Sequence, residues 1–258
     1  MRNTSSRATT QTAHFKSTRL LATVGALGLA LGAFFVASNP AFADETREYD
    51  FADFSKIEIS ESVEGSLVQS NSFSIQATAA DKELLDSLVI EKTGTTLKIH
   101  RKEESLLKSL TSLFGGQSPK VVVTMPFLSA AHASAGAELM IETFSTENIE
   151  LLASSGADLD AKGLTAISVK ADSSSGADIE LAGTCDQAEF SSSSGADLDA
   201  GSLECNSVLV DASSGADASV FASDNLEANA SSGADINVRG NPSTTQTNTS
   251  SGGEIELK

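Results

Sequence analysis

Carboxylates recur at one place in a short repeated phrase of this chain. Ser-Ser-Gly-Ala-Asp occurs five times, and it ends at Asp158, Asp178, Asp197, Asp217 and Asp235. Glu138 and Glu254 hold the same place in weaker copies before and after these five. If the copies stack on successive coils, neighbouring carboxylates lie about 5 Å apart. Such a column of oxygen ligands could bind Ca²⁺. The alternative is that each Asp accepts hydrogen bonds from backbone N–H groups at a corner.

A second set of acids follows two residues later and is expected to share the outward face of the first. Its members are Asp160, Glu180, Asp199 and Glu256. The serines of the phrase form a further set, at 154/155, 174/175, 193/194, 213/214 and 231/232. Stacked hydroxyls can form a hydrogen-bonded ladder. The alternative is a repetitive surface for ice or a glycan, which the nearby acids disfavour.

The two cysteines of the chain occupy equivalent places in neighbouring repeats. Cys185 lies ten residues before Gly195, and Cys205 lies ten residues before Gly215. On stacked coils their Cα atoms would be about 5 Å apart, which is within the range that a disulfide tolerates. We therefore expect a Cys185–Cys205 disulfide, and two stacked free thiols are the alternative.

Residues typical of catalysis are scarce. Of the three histidines, His14 belongs to the N-terminal leader, while His100 and His132 have no nucleophile motif beside them. The repeats contain few cations, and these do not cluster with acids in the sequence. We expect no enzymatic activity. The alternative is a Ca²⁺-dependent carbohydrate-active β-helix enzyme.

The elements that position these side chains follow from the period of the repeats. From Gly136 to Gly252 the glycines of the phrase are 20, 20, 19, 20, 18 and 19 residues apart. After each glycine, apolar and polar residues alternate, and the second half of each repeat alternates too, as in Ile167, Val169 and Ala171. A period of two indicates a strand with one buried face. Each repeat is therefore predicted to contain two short strands, and stacked repeats to form an all-β, right-handed parallel β-helix with a narrow, flattened cross-section.

The regular repeats are predicted to span residues 134–258, after a less regular part at 44–133 that forms irregular coils and an end cap. Strands are predicted at Ile57–Ile59, Ser72–Ala77, Leu97–Ile99 and Val121–Met125, and a helical turn at Asp81–Leu85. Leucines at helical spacing within residues 103–118 predict a helical insertion. This helix is expected to pack on the solenoid, and docking to a membrane surface or a partner is the alternative.

The first 43 residues have the organisation of a secretory signal peptide. Four cations and no acid precede an uncharged apolar run from Leu20 to Ala37, and Ala41-Phe42-Ala43 follows. We expect cleavage after Ala43. An uncleaved membrane anchor is the alternative, since about 18 apolar residues can just span a bilayer.

The chain is strongly acidic. Its formal charge is −18, and it would be −22 without the four cations of the leader. Such a surface repels nucleic acid and anionic lipid and attracts cations or basic partners. High solubility is an equally good reason for the same charge.

Three stretches in order resemble the head GIN domain family. They are 47–59 (Arg-Glu-Tyr-Asp-Phe-x-x-Phe-x-x-Ile-x-Ile), 72–79 (Ser-Phe-Ser-Ile-x-Ala-x-Ala) and 121–128 (Val-x-Val-x-Met-Pro-x-Leu). The Ser-Gly-Ala-Asp coils are similar to the same family, so the resemblance covers about 47–258. It implies the head of a putative autotransporter adhesin with a right-handed parallel β-helix fold, and it brings no catalytic residues.

Together these observations predict an exported, non-catalytic binding, adhesion or envelope module that presents a repetitive acidic surface. A purely structural envelope protein is a further alternative. A cell-surface glycan or a protein is the expected partner, with no nucleic acid and no stable membrane insertion after signal cleavage. We expect the periplasm, the cell surface or the extracellular space as its location. The last coil, Ile255 to Lys258, shows no capping residues and is expected to allow pairing between copies of the chain.

Overall fold

The computed structural model describes residues 44–102 and 117–258, together with a two-residue strand, β1 (Thr10–Gln11), that pairs with β6. The rest of the predicted signal peptide lies outside the described residues, as do residues 103–116 of the helix predicted within 103–118. Among the described residues no helix is long and apolar enough to cross a membrane.

The described residues of the irregular N-terminal part form short strands and one helix. These elements are β2 (Glu45–Tyr49), β3 (Lys56–Ser60), β4 (Glu64–Gln69), β5 (Ser74–Ala79), α1 (Lys82–Ser87), β6 (Leu88–Thr93), β7 (Thr96–Arg101), β8 (Lys120–Met125), β9 (Ala130–Ser134) and β10 (Glu138–Ile141). The four predicted strands lie at β3, β5, β7 and β8, and the predicted helical turn is α1. Asp81 caps this helix, because its side chain accepts a hydrogen bond from the Leu84 N–H at 2.7 Å.

The repeats form the solenoid. Its strands are β11 (Phe144–Ser154), β12 (Asp158–Ser174), β13 (Asp178–Ser193), β14 (Asp197–Ser213), β15 (Asp217–Ser231), β16 (Asp235–Arg239), β17 (Thr244–Ser250) and β18 (Glu254–Leu257). All of them pair in parallel with the strands of the next coil, over about six turns in residues 130–257. The predicted parallel β-solenoid is confirmed.

Two faces of the solenoid carry rows of polar side chains. The aspartate sheet consists of β4, β8 and β10, the first residues of β12–β15, and β16 and β18. The amide sheet consists of β3, β7 and β9, the last residues of β11–β15, and β17. Antiparallel pairs extend both faces beyond the solenoid, β8–β5–β2 on the first and β7–β6 on the second.

Each coil faces the core along three segments, whereas two were predicted. In β12 the buried positions resume at Leu164 after Lys162 and Gly163, and they resume again after Ile167 and Ser168. Each interruption places two successive residues outside and shifts the alternation by one position. For this reason the prediction that Ile167 faces inward is wrong, and this side chain is 53% exposed.

The corner before each Asp is a two-residue left-handed turn. Ser155 has φ of 58° and Gly156 has φ of 67°, and the same pair recurs through Ser251 and Gly252. Glycine adopts this conformation at no steric cost, whereas an L-residue such as Ser does so at some cost. The repeated phrase therefore encodes a corner, and its first serine and its Asp lie on opposite sides of that corner.

The core is filled mainly by aliphatic residues and alanines. Phe54, Phe144 and Phe190 are the largest fully buried side chains, and no more than 1% of each is exposed. Alanines occupy the inward position just after each corner from Gly136 to Gly233, as at Ala157 and Ala177. Because so small a side chain fills this position, the coil can bend tightly there.

Candidate binding surface

The five aspartates of the repeated phrase form one column on the aspartate sheet. Strand pairing places Asp158 opposite Asp178, then Asp197, Asp217 and Asp235 in turn. Glu138 precedes this series and Glu254 follows it in the same register. All seven side chains are exposed. Each carboxylate is thus one coil, about 4.8 Å, from the next along the solenoid axis.

Glu64 on β4 extends the column by one more strand, opposite Glu138. It forms an ion pair with Lys120 on β8, with Nζ 3.0 Å from Oε2. Sequence reasoning missed Glu64, because no Gly-Ala phrase precedes it. Beyond Glu64, no member of the column forms an ion pair with a described residue.

A second column stands two residues further along the strands. Asp160, Glu180 and Asp199 are in register, but Ser219 and Asn237 interrupt the series before Glu256. Lys162 partly neutralises this column, since its Nζ lies 3.3 Å from the Asp160 carboxylate and 3.8 Å from that of Glu180. Lys258 pairs with Glu256 at 3.2 Å.

The first column is not explained by hydrogen bonding at the corners. None of its five aspartate side chains accepts a hydrogen bond from a described residue, so the predicted contact with corner N–H groups is not observed. In the second column, by contrast, Asp199 Oδ1 accepts a hydrogen bond from the Gly201 N–H at 3.0 Å. Burial, and then the charges of Asp197 and Asp235, raise the pKa of the Asp217 carboxyl.

The two columns line a shallow groove of about 380 Å³ that crosses β10 and β12–β14. Its walls include the carboxylates of both columns from Glu138 to Asp199, together with Met140, which is 39% exposed. No three His, Cys, Asp or Glu side chains of the described residues converge closely enough to hold a metal ion. The carboxylates therefore stand as a ladder and do not form a closed cage, and Ca²⁺ binding stays a prediction.

The fold and this surface can be compared with known proteins. The family model described as "putative auto-transporter adhesin, head GIN domain" matches residues 53–242. The chain belongs to this family. No curated protein matches it.

Solved structures of similar fold include proteins described as putative adhesins and one described as a putative lipid binding protein. The crystal structure of a putative adhesin from Bacteroides fragilis is 20% identical, with a TM-score of 0.76, and the match covers 85% of this chain and 99% of that one. A putative adhesin from Parabacteroides merdae is 18% identical, with a TM-score of 0.64, covering 83% and 96%. A putative lipid binding protein from Parabacteroides distasonis is 20% identical, with a TM-score of 0.66, covering 83% and 97%. At these identities the likeness shows the shared fold alone.

In this head GIN domain the serines stack as their spacing predicts. The first serine of each phrase lies in one column of the amide sheet, from Ser134 and Ser154 to Ser231 and Ser250. No hydroxyl of this column forms a hydrogen bond with a described residue. The predicted hydroxyl ladder is therefore stacked but not hydrogen-bonded. Ser173 and Ser192, which face inward, do bond, and each donates to an alanine carbonyl four residues later.

The two cysteines meet on the short middle segment of the coils, which corresponds to Leu164–Ala166 in β12. Cys185 on β13 and Cys205 on β14 are direct partners in the pairing, with Cα atoms 4.5 Å apart, and their sulfurs form a disulfide. Both residues are buried, with exposures of 6% and 1%. The disulfide joins two coils at positions where the neighbouring coils have Ala166 and Ala222.

The histidines lie apart from both acidic columns. His100 is on β7, where its Nδ1 is 4.0 Å from a Glu61 carboxylate oxygen, and His132 is on β9 opposite Glu58. Both belong to the amide sheet near the N-terminal part. The geometry thus does not combine them with the aspartates.

Proposed function

We propose that the protein is an exported, non-catalytic binding module whose aspartate sheet binds a basic partner, such as a protein with a lysine- or arginine-rich face. The observation that carries the proposal is the column from Glu138 to Glu254. It places seven exposed carboxylates in register on successive coils, without a paired cation among the described residues.

Electrostatics favours this class of partner. A row of like charges produces a local field that attracts cations and speeds the encounter with basic surfaces. The same field disfavours nucleic acid and anionic lipid headgroups. One relative is described as a putative lipid binding protein, but the aspartate sheet itself gives no support for an anionic lipid as ligand.

Export is part of the proposal. The signal-like first 43 residues predict secretion, and the Cys185–Cys205 disulfide is typical of an oxidising compartment. The adhesin descriptions of the family and of its solved members point the same way. We therefore propose that the protein is exported to the periplasm, the cell surface or the extracellular space.

The proposal is tested by binding of a ten-residue lysine peptide to the purified protein. The variant neutralises the five aspartates of the repeated phrase by Asp→Asn. Its control neutralises five acids of the amide sheet, by Glu150→Gln, Asp172→Asn, Glu189→Gln, Asp211→Asn and Glu227→Gln. Both variants change the net charge equally, but only the first removes the column.

The aspartate variant is expected to bind the peptide at least about tenfold more weakly than the unmodified protein, a loss of roughly 1.4 kcal/mol. The control variant is expected to lose far less. Affinity should also fall as salt is added, because exposed charges are screened beyond about 8 Å at physiological ionic strength. Equal losses in the two variants would show that net charge alone attracts the peptide, and the proposal would then be wrong.

Calcium is proposed as a weak counter-ion of the same column. Ca²⁺ accepts variable numbers of oxygen ligands in flexible sites, and the ladder offers carboxylates one coil apart. Calorimetric titration should show weak binding that disappears in the five-fold aspartate variant and persists in the control. If both variants gave the same heat of Ca²⁺ binding, the column would have no role in binding the ion.

A further inference from the structure

The amide sheet contains a second groove, on a different face from the carboxylate columns. It has a volume of about 440 Å³ and runs along the solenoid axis over the coils of β12–β15 and β17. Its lining includes Ser168, Gln187, Ser207, Asn225 and Thr244. None of its residues belongs to the aspartate sheet, so a ligand could occupy it without contact with the carboxylate columns.

One wall of this groove is an uninterrupted column of uncharged hydrogen-bonding side chains. Strand pairing places these residues in register on successive coils: Ser168, Gln187, Ser207, Asn225 and Thr244. Asn225 donates to the Ser207 hydroxyl at 3.0 Å. The side chains of Ser168, Gln187 and Thr244 form no hydrogen bond with a described residue, so their donors and acceptors are available to a ligand.

The adjacent column has a different chemistry. Leu209 is partly exposed at its centre, and Glu189 and Glu227 stand on the coils before and after it. Glu189 also accepts a hydrogen bond from Lys170 at 2.9 Å. The groove thus combines an apolar patch, a row of amides and hydroxyls, and flanking carboxylates.

We propose that this groove binds a neutral, extended, β-linked polysaccharide that runs along the solenoid axis. A pyranose ring has an apolar face of C–H groups and a rim of hydroxyls, which fit Leu209 and the amide column respectively. The coil spacing of about 4.8 Å is comparable with the length of one sugar ring, so successive rings meet equivalent side chains. Glu189 and Glu227 accept hydrogen bonds from hydroxyls and repel uronates or sulfated chains.

This inference adds a second ligand class and does not depend on the basic partner proposed for the aspartate sheet. It is tested by titrating the purified, ¹⁵N-labelled protein with cellohexaose and with chitohexaose, and with hexagalacturonate as the acidic comparison. The readout is the shift of side-chain amide signals in NMR spectra, from Gln187, Asn225 and Gln246, all of which line the groove. These signals report on the groove itself.

The expected result is that at least one neutral hexamer shifts these amide signals, that its dimer binds more weakly, and that hexagalacturonate has no effect. Leu209→Glu should weaken binding at least about tenfold, while Leu209→Met keeps an apolar side chain and should change it less than about threefold. Gln187→Ala should weaken binding as well. Asp178→Asn, on the aspartate sheet, should leave it unchanged. Thermal unfolding of each variant shows whether the fold is intact.

Two results would overturn the inference. One is the absence of amide shifts with both neutral hexamers at millimolar concentration. The other is binding that survives Leu209→Glu in a folded variant, because the ligand would then sit elsewhere. Neither result bears on peptide binding by the aspartate sheet, so this inference and the proposed function can fail separately.

Discussion

Replacement of Asp217 by Asn is expected to stabilise the protein at neutral pH. Asp217 lies in the middle of the carboxylate column, between Asp197 and Asp235. Its side chain accepts no hydrogen bond from a described residue, so the substitution removes a charge without breaking a contact. The usual effect of changing a residue that is well placed in a fold is a loss of stability; here a gain is expected.

The magnitude follows from the spacing of the coils. Two unit charges about 4.8 Å apart repel each other by about 0.9 kcal/mol in a medium with the dielectric constant of water. Screening at physiological ionic strength reduces this to about 0.5 kcal/mol for each neighbour. Two neighbours give about 1 kcal/mol, which is an upper value because exposed carboxylates can rotate away from each other. We expect Asp217→Asn to raise the free energy of unfolding by about 0.5–1 kcal/mol.

The pH dependence has a definite sign. Burial, followed by Asp197 and Asp235, raises the pKa of Asp217 above its ordinary value of 3.8. The folded protein therefore binds this proton more tightly than the unfolded chain, and the destabilisation is fully present above the folded pKa. The destabilisation by the Asp217 charge decreases as the pH falls through that pKa. The gain in the free energy of unfolding from Asp217→Asn should therefore decrease over the same pH range.

The assay is urea unfolding of both proteins at pH 7 in low salt and in 1 M salt, repeated towards pH 3.5. Asp224→Asn is the matched control, because Asp224 is exposed and lies outside the columns. The gain from Asp217→Asn should shrink in high salt, where the Debye length is about 3 Å. A gain of the same size from Asp224→Asn, or a loss of stability from Asp217→Asn, would refute the reasoning from the column.

Three further predictions concern the rest of the fold. Replacing Cys185 and Cys205 by Ala should lower the free energy of unfolding by about 3 kcal/mol, since the disulfide closes a loop with a sequence separation of 20. Added reductant should change the urea midpoint of the unmodified protein and leave that of the variant unchanged. Gly183→Ala should lower the free energy of unfolding by about 1–3 kcal/mol more than Gly195→Ala does. A Cβ at Gly183 would lie 1.9 Å from the Leu164 carbonyl oxygen, whereas one at Gly195 would meet nothing within 4 Å. Comparison of the urea midpoints of the two variants checks this. Hydrogen bonds from Lys82 and Arg47 lower the pKa of Asp86 to about 2. The stabilisation of the fold by these bonds is therefore fully present above pH 3.8 and is lost as the pH falls through 2. In Asp86→Asn the free energy of unfolding should depend less on pH over this range, as measured by urea unfolding at a series of pH values.

The regular solenoid could be predicted from the sequence because its determinants are local and repeated. A glycine about every 19 or 20 residues fixes the corner, and alternation on either side fixes which residues face inward. Once the register is known, Cys185 must lie beside Cys205, and Asp178 beside Asp197. Each coil pairs with the previous one as its template, so the register of one pair of coils carries over to the next.

The irregular bends, the N-terminal strand pairing and the amide groove depend on contacts that no local sequence pattern indicates. Ile167 and Leu164 lie where the coil bends without a repeated phrase, and the number of residues between the first and the middle segments varies from coil to coil. The N-terminal strands pair antiparallel across long separations, as β2 does with β5 and β8 with β5. The amide groove was missed because its residue types vary, as Gln187 and Ser207 do, while their hydrogen-bonding character stays constant.

The charges of the carboxylate column have opposite effects on stability and on binding. The repulsion that weakens the folded state by up to about 1 kcal/mol at an inner position arises from the same charges that would attract a basic partner. Neutralising Asp217 should therefore raise the free energy of unfolding and weaken peptide binding in a single variant.

A column of charges that served only solubility would not need to stand in register, since charges scattered over the coils give the same net charge with less repulsion. A variant in which one aspartate is moved from the column to an exposed position of the amide sheet with an uncharged register partner, Asp217→Asn with Asn248→Asp, keeps the net charge and separates the two explanations. If it binds the lysine peptide as well as the unmodified protein does, the register of the column has no part in recognition.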